Sequence, residues 1–325
     1  MKKIAFLTSG GDSPGMNACT RALVKSCINQ NIVPVGIKDG FKGMIENNMQ
    51  VFTEKDVDHI IHLGGTILGT ARCQEFKAKE FRLKAIQNLK SKGIDGLVVV
   101  GGDGTFTGAN LLSQEMNIPI IGIPGTIDND IFGTDRCIGY DSALNTVVEA
   151  VDKIRDTAES HHRVFFVEVM GKNSGYIALN SALASGLEIV LIPELKSDTH
   201  IIVSQIEKQL HISKSCIVIV AEGDDGGNAT TLIEKLKPHL HNFDVRSTVL
   251  GHLQRGGSPS AFDRILATKM GIYAIDSLLN GETNKMIASK GDLLHLIPIE
   301  DGIKYKNTPL LTENMKLIQK ILITN

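Results

Sequence analysis

The sharpest chemical signal in the sequence is Pro124-Gly-Thr-Ile-Asp-Asn-Asp130, where two carboxylates two residues apart follow a short apolar run. In an extended segment such residues point to the same side, so Asp128 and Asp130 are expected to face one pocket. One of them can take a hydroxyl proton from an attacking oxygen within hydrogen-bond reach, while the other helps to hold a cation. Asp and Asn clusters also build ordinary turns, but this cluster follows a buried run whose tip is already glycine-rich. A further acid, Asp103, lies among three glycines in Val100-Gly-Gly-Asp-Gly-Thr105. Glycine lets backbone approach a ligand, a turn alone needs no acid there, and a carboxylate can reach a hydrated magnesium ion. A third loop, Leu7-Thr-Ser-Gly-Gly-Asp-Ser-Pro-Gly-Met-Asn17, should open a helix with Pro14 near its first turn. Free amides at a helix start, uncovered at Gly10 and Gly11, attract phosphate oxygens; a plain strand-to-helix turn is the alternative. Neither G-x-x-x-x-G-K-[ST] nor G-x-G-x-x-G follows the first strand, so any nucleotide is held differently.

The cations are placed selectively. Nine of the 34 basic residues are arginine, and four of these, Arg72, Arg163, Arg246 and Arg255, lie near glycine turns or at strand starts. A guanidinium fork binds phosphate through two parallel hydrogen bonds, which lysine cannot copy; a surface ion pair is the ordinary alternative for any one of them. His252 can donate to a phosphate or hydroxyl, and Glu222, before Gly223-Asp224, can accept a sugar hydroxyl. The pair His161-His162 reads as exposed loop, and no Cys/His or Ser/His/Asp pattern emerges. Residue by residue, the chemistry is magnesium, phosphates and a carboxylate base: phosphoryl transfer from a nucleotide.

Such loops need a rigid frame. Short continuous apolar runs recur at 4–7, 97–100, 120–123, 164–169, 189–192 and 217–220, as expected of strands buried on both faces of a parallel sheet. Between them are segments of helical period, for example Ala143, Val147, Ala150, Val151 and Ile154. This alternation predicts an α/β chain, and in open α/β sheets ligands sit at the carboxyl ends of the strands, where the glycine-bearing turns Gly10-Gly11, Gly101-Gly102, Gly125, Gly171 and Gly223 fall. A length of 325 residues fits about two domains of ~150 residues each. A closing amphipathic helix is expected beyond Lys304 from Leu310, Leu311, Met315, Ile318 and Ile321.

The formal net charge of −2 provides no global basic field for nucleic acid or anionic lipid. Five separated cysteines without a C-x-x-C pair predict reduced thiols in a cytoplasm. The apolar start breaks at Ser9-Gly10-Gly11-Asp12 before a signal-peptide core is complete, and no run approaches the ~18 apolar residues of a membrane span.

Taken together, the loops at 7–17, 64–72, 101–105, 124–130, 167–171 and 249–259 resemble the bacterial ATP-dependent 6-phosphofructokinases, from the first strand to about residue 279. Pro-Gly-Thr-Ile-Asp-Asn-Asp and Gly251-His-Leu-Gln-Arg-Gly-Gly-Ser-Pro259 are the most specific motifs. The resemblance implies two Rossmann-like three-layer α/β domains with largely parallel sheets, the chain crossing between them. It places an ATP-binding domain at 1–139 plus 254–304 and a sugar-phosphate domain at 140–253 plus 305–325. It also implies magnesium, with ATP as co-substrate, and a cytoplasmic homotetramer that shares its active sites between subunits. Asp128 would take the proton of the fructose 6-phosphate 1-hydroxyl, Thr126 would lie beside the transferred group, and Arg72 would act with them. Gly11, Arg72, Cys73, Gly102, Asp103, Gly104 and Thr105 would line the ATP site, with Asp103 and Asp130 at the metal. The sugar phosphate would meet Thr126, Ile127, Asp128, Met170, Gly171, Lys172, Glu222, His252, Leu253, Gln254 and Arg255, with Arg163 and Arg246 reaching in from a neighbouring subunit.

Gly104 and Gly125 are expected to keep space beside the phosphates where pyrophosphate-dependent relatives carry Asp and Lys, favouring ATP. Lys172 stands where the family usually has arginine. At the family's effector site Arg21, Arg155 and Glu188 match and Lys214 supplies a cation. Lys25 replaces an arginine, Glu54 stands where a cation is usual, and His211 and Ser213 replace lysines, so weak control by ADP or phosphoenolpyruvate is expected. The Gly-Gly-Asp-Gly-Thr loop also occurs in NAD and lipid kinases, and a non-catalytic sugar-phosphate sensor would share the fold; the two specific motifs and the retained Asp128, Asp103 and Arg72 weigh against both.

Overall fold

A computed structural model of the chain describes residues 1–196, 198–241 and 243–304, together with 313, 316 and 317. The expected closing helix, with Leu310, Leu311, Met315, Ile318 and Ile321, lies outside the described residues. The chain divides into two compact units, Met1–Ser142 with Arg255–Lys306 and Ala143–Gln254 with Asn307–Asn325.

The strands are β1 (Lys3–Ser9), β2 (Val33–Ile37), β3 (Met49–Val51), β4 (Gly96–Gly101), β5 (Ile120–Pro124), β6 (Arg163–Val169), β7 (Ile189–Leu191), β8 (Cys216–Ala221), β9 (Asp244–Val249), β10 (Lys285–Lys290) and β11 (Leu293–Pro298). The helices are α1 (Met16–Asn29), α2 (Gly40–Glu46), α3 (Lys79–Ser91), α4 (Asp103–Glu115), α5 (Tyr140–His161), α6 (Tyr176–Ala184), α7 (Thr199–Ile212), α8 (Ala229–Leu236) and α9 (Ala261–Leu279).

Unit 1 is built on a seven-stranded sheet in the order β11-β10-β5-β4-β1-β2-β3. Its interior pairings are parallel, and the edge strands β3 and β11 run antiparallel. The continuous apolar runs have a direct cause here. Along β1, Ile4 and Phe6 join a core under α1 and α9, while Ala5 and Leu7 join a second core under α2, α3 and α4. In the same way β4 gives Val98 and Val100 to the first core and Leu97 and Val99 to the second. With both faces covered, alternation has nothing polar to show. Each such side chain contributes ~1.5 to 3 kcal/mol by leaving water. Helices α1 and α9 pack tightly because Gly271 carries no Cβ; one would fall 2.7 Å from the Ala22 Cβ.

Unit 2 holds a wholly parallel four-stranded sheet, order β7-β8-β6-β9. One face packs Val164, Phe166, Val218 and Val220 against Ile202 and Ile206 of α7 and Leu232 and Leu236 of α8. The sheets are those of a largely parallel, Rossmann-like α/β protein.

Strands β2, β3, β9, β10 and β11 give no continuous apolar run. β2 carries Pro34 and Gly36, β3 has only three residues, and β9 is an edge strand whose side chains are exposed or half-buried. All five cysteines are free, and burial pushes the thiols of Cys19, Cys27 and Cys216 up to about 12. Among the described residues no helix is long and apolar enough to cross a membrane.

Candidate active site

In unit 1 the connection after β1 leads through α1 to β2 on one side, while β4 lies on the other side of β1. This is a topological switch point, and the loops leaving β1, β4 and β5 meet at the carboxyl ends around it. They are stitched together: Thr105 Oγ1 donates to the Ser9 carbonyl at 3.0 Å, and Gly125 N donates to the Gly101 carbonyl at 3.0 Å. Helix α4 starts at the expected Gly-Gly-Asp-Gly loop, with Gly102 as its N-cap and Asp103 exposed in its first turn. Thr126 lies beside Gly102, where an added Cβ would come 3.7 Å from the Thr126 Cβ.

The 64–73 segment is sewn to the same strand ends. Thr8 Oγ1 contacts Thr66 Oγ1 at 2.9 Å and donates to the Gly69 carbonyl at 2.9 Å, and Thr70 Oγ1 donates to the Gly10 carbonyl at 2.8 Å. Asn17 closes it from α1, Nδ2 donating to the Leu63 and Gly64 carbonyls while Oδ1 accepts from Ile67 N at 2.7 Å. Exposed Arg72 and half-buried Cys73 follow this anchored stretch.

The 124–130 loop departs from expectation. It is not extended: the chain turns at Ile127 and Asp128, and Asn129 adopts a left-handed φ of 50°. The period-two rule therefore gives no reason for Asp128 and Asp130 to share a side. Asp128 is 1% exposed, and its amide donates to Thr126 Oγ1 at 3.3 Å. Ile127 is fully buried. Asn129, absent from the sequence reading, braces the turn: Oδ1 accepts from Cys137 N at 2.8 Å and Nδ2 donates to the Asp135 carbonyl at 3.0 Å. Its signal was available, since Asn tolerates left-handed backbone and bonds to nearby main chain.

Arg255 lies over the first phosphate loop. Its Nη1 donates to the Asp12 carbonyl at 3.0 Å, and a Cβ at Gly11 would fall 2.2 Å from that nitrogen. A side chain at Gly11 would displace this guanidinium. Of the two glycines expected to keep space open, Gly104 faces none of its neighbours within 4 Å. At Gly125 a Cβ would meet Val100 Cγ1 at 3.1 Å and Met16 Cε at 3.4 Å, so local packing also favours glycine there.

In unit 2, Met170, Gly171 and Lys172 follow β6, Glu222 follows β8, and β9 leads into a short helical turn, Gly251–Arg255, whose last residue belongs to unit 1. Glu222 Oε1 accepts from Lys172 N at 2.9 Å, and a Cβ at Gly223 would fall 1.9 Å from the Lys172 carbonyl oxygen, so the two loops are locked together. Lys172 itself has φ 51°. Gln254 is fully buried, its Oε1 accepting from Met170 N at 3.2 Å and its Nε2 donating to the Gly251 carbonyl. His252 and Leu253 are exposed. Arg163 and Arg246 share one carboxylate, Asp244, at 2.6 and 3.0 Å. The hydrogen bond from Arg163, with both guanidinium charges, holds the Asp244 carboxyl below its usual range.

Of the effector residues in unit 1, Lys25 pairs with Asp58 at 3.2 Å and Glu54 at 3.7 Å, and Arg21 has its Nε buried without a hydrogen-bond partner among the described residues. In unit 2, Arg155 donates to the Ser185 carbonyl, Glu188 is half-buried and Lys214 is exposed. A second residue missed by the sequence reading is Asp263, fully buried at the start of α9, whose carboxyl burial pushes up to about 6. Ser260-x-x-Asp263 is a helix-start signature that pointed to it.

The chain matches the family described as phosphofructokinase over residues 3–278. It is 48% identical over 324 residues to the ATP-dependent 6-phosphofructokinase 2 of Bacteroides thetaiotaomicron, covering 99% of each chain. To the ATP-dependent 6-phosphofructokinase of Thermotoga neapolitana it is 48% identical, covering 95% of this chain and 96% of that one. Among solved structures, phosphofructokinase from Saccharomyces cerevisiae superposes with a TM-score of 0.87 at 35% identity over 99% of this chain, which spans about half (47%) of the yeast chain. With a family match over residues 3–278 and 48% identity to these relatives over nearly the whole length, the chain belongs to the phosphofructokinase family.

Proposed function

We infer that the chain transfers the γ-phosphoryl group of ATP to the 1-hydroxyl of D-fructose 6-phosphate, giving fructose 1,6-bisphosphate and ADP, the committing step of glycolysis. The observation that carries the reading is Asp128, a nearly buried carboxylate on a braced turn beside three phosphate-type loops. Relatives 48% identical over nearly the whole chain bear the name ATP-dependent 6-phosphofructokinase.

Asp128 accepts the 1-hydroxyl proton as the oxygen attacks the γ-phosphorus. The β–γ bridging bond breaks, and its electron pair leaves on ADP. Gly11, Arg72, Cys73 and 102–105 line the nucleotide site and Thr126 lies beside the transferred group, with backbone amides and the guanidinium meeting the charge that spreads in transfer. Met170, Gly171, Lys172, Glu222, His252 and Arg255 hold the sugar phosphate, Gln254 keeping the Met170 loop in place.

Asp103 bears on the metal. A carboxylate suits a helix start by itself, yet beside polyphosphate it repels its ligand unless a cation intervenes. Magnesium is commonly held by one or two carboxylates plus phosphates and water, here Asp103 and Asp130. Magnesium would neutralise phosphate charge and align the γ-phosphoryl group.

Arg163 and Arg246 lie on β6 and the edge strand β9 of unit 2, with Arg246 55% exposed. Their placement suits service to a neighbouring subunit in a homotetramer, and five free thiols suit the reducing cytoplasm. A coupled assay for fructose 1,6-bisphosphate tests the reading. Turnover should require fructose 6-phosphate and magnesium-ATP; faster turnover with pyrophosphate, or phosphorylation of NAD instead of the sugar phosphate, overturns it.

A further inference from the structure

Residues 135–142 form a strap that follows the 124–130 loop, and three anchors hold it within unit 1. At its near end is the Asn129 clasp on Asp135 and Cys137. In its middle, Ile138 N donates to the Pro124 carbonyl at 2.9 Å and Ile138 bridges to Gly125. At its far end Asp263, reaching from the first turn of α9, accepts from Gly139 N at 2.9 Å, Ser142 N at 2.8 Å and Ser142 Oγ at 2.6 Å. Ser260 completes this anchor, its amide donating to Ser142 Oγ and its hydroxyl donating to Asp141 while accepting from Asp263 N.

An acid three residues after a helix N-cap ordinarily turns back to the N-cap amide. Here the Ser260 amide goes to Ser142 instead, and the Asp263 carboxylate is directed wholly at the strap. The site is fully buried, and burial raises the Asp263 pKa more than its hydrogen bonds lower it, with Asp141 adding to the rise. A neutral cap would avoid that cost, so what the carboxylate supplies is three convergent acceptor contacts on one short segment. The strap also bears on the first phosphate loop, since a Cβ at Gly139 would fall 2.5 Å from the Ser13 Cβ.

We propose that Asp263 is a positioning residue for phosphoryl transfer: by fixing the far end of the strap it holds the 124–130 loop, and with it Asp128, in reacting geometry. The proposal rests on Asp128 being the base. Displacement of a reacting group by about 1 Å can cost ~10²-fold in rate, whereas loss of a purely structural contact lowers stability and leaves turnover per folded molecule intact.

In Asp263→Asn one acceptor oxygen is replaced by an NH2 donor, which faces the Gly139 amide or the Ser142 amide according to the orientation of the side chain. Its kcat per folded protein should fall ~10-fold or more, with both KM values within about twofold of the parent, and amide hydrogen exchange should quicken across 125–142. Ser142→Ala, which keeps the amide contact and loses the hydroxyl, should show the same split at ~3-fold. A kcat within twofold of the parent in folded Asp263→Asn overturns the proposal; if that variant does not fold, an unchanged kcat in Ser142→Ala overturns it. Asp128→Asn, assayed alongside, separates the two readings. Normal turnover there defeats the base assignment, while lost turnover there with normal turnover in Asp263→Asn defeats the strap alone.

Discussion

Two carboxylates, one in the first turn of α9 in unit 1 and one at the start of β9 in unit 2, have opposite surroundings. Asp263 in unit 1 is fully buried, satisfied by main chain and hydroxyls, and its pKa is pushed up to about 6 by desolvation. Asp244 in unit 2 has a side chain 41% exposed, is paired with two arginines, and its pKa is lowered, chiefly by the hydrogen bond from Arg163. The first organises backbone, and its partners are close at hand in the fold. The second organises charge, and its partners are long side chains that an incoming phosphate can take over. The loops at the strand ends of unit 1 are thus built in advance from buried and part-buried hydrogen bonds, while the arginines of unit 2 are held by exposed ion pairs that solvent screens.

The severest way to break this comparison is Asp128→Asn, which keeps shape and removes the base. Turnover should fall ~10²-fold or more with little change in either KM, and near-normal steady-state turnover would mean that the prebuilt loop serves something other than proton abstraction. Next, Arg163→Ala should raise the KM for fructose 6-phosphate ~10-fold or more while kcat changes less, since a charge-assisted contact to phosphate is worth ~1.5 to 3 kcal/mol. A fall in kcat at constant KM would instead place that arginine in the transfer step.

A gentler probe sharpens the contrast through pH. Because the Asp263 pKa is raised from 3.8 to about 6, the folded chain binds a proton that the unfolded chain has lost between those values. That contribution to stability is fully present below pH 3.8 and is lost as pH rises through about 6. Denaturant titrations from pH 4 to 7 should show Asp263→Asn losing less stability with rising pH than the parent; parallel curves would deny the burial of this group. The smallest expected effect concerns regulation. Lys25 is already engaged by Glu54 and Asp58, so an anionic effector must compete with two internal carboxylates. ADP and phosphoenolpyruvate at millimolar concentration should scarcely change a nearly hyperbolic fructose 6-phosphate curve, because a ligand that barely binds shifts no equilibrium. A strongly sigmoidal curve relieved by ADP would refute this.

The interior strands were legible because β1, β4, β5, β6 and β8 are covered on both faces, and such coverage demands unbroken apolar runs. The loops were legible because glycine, acid and arginine at strand ends are costly to place without a use. The more polar strands were not: the side chains of β9 are exposed or half-buried throughout, and β10, mixed in sequence, is set between β5 and β11 by pairing with both. Within the site, the sequence by itself named Asp128, Asp103 and Arg72, whose chemical types are the signal. Only the tertiary structure decided how they are held. The turn that replaces an extended segment at 127–129 is braced by Asn129 meeting Cys137, Arg255 lies close over the bare backbone at Gly11, and the grip of Asp263 on Gly139 and Ser142 joins residues more than 120 positions apart. Local spacing encodes periodicity and residue chemistry, whereas hydrogen bonds across such separations exist only once packing has brought the backbone groups together and removed the water that would otherwise satisfy them.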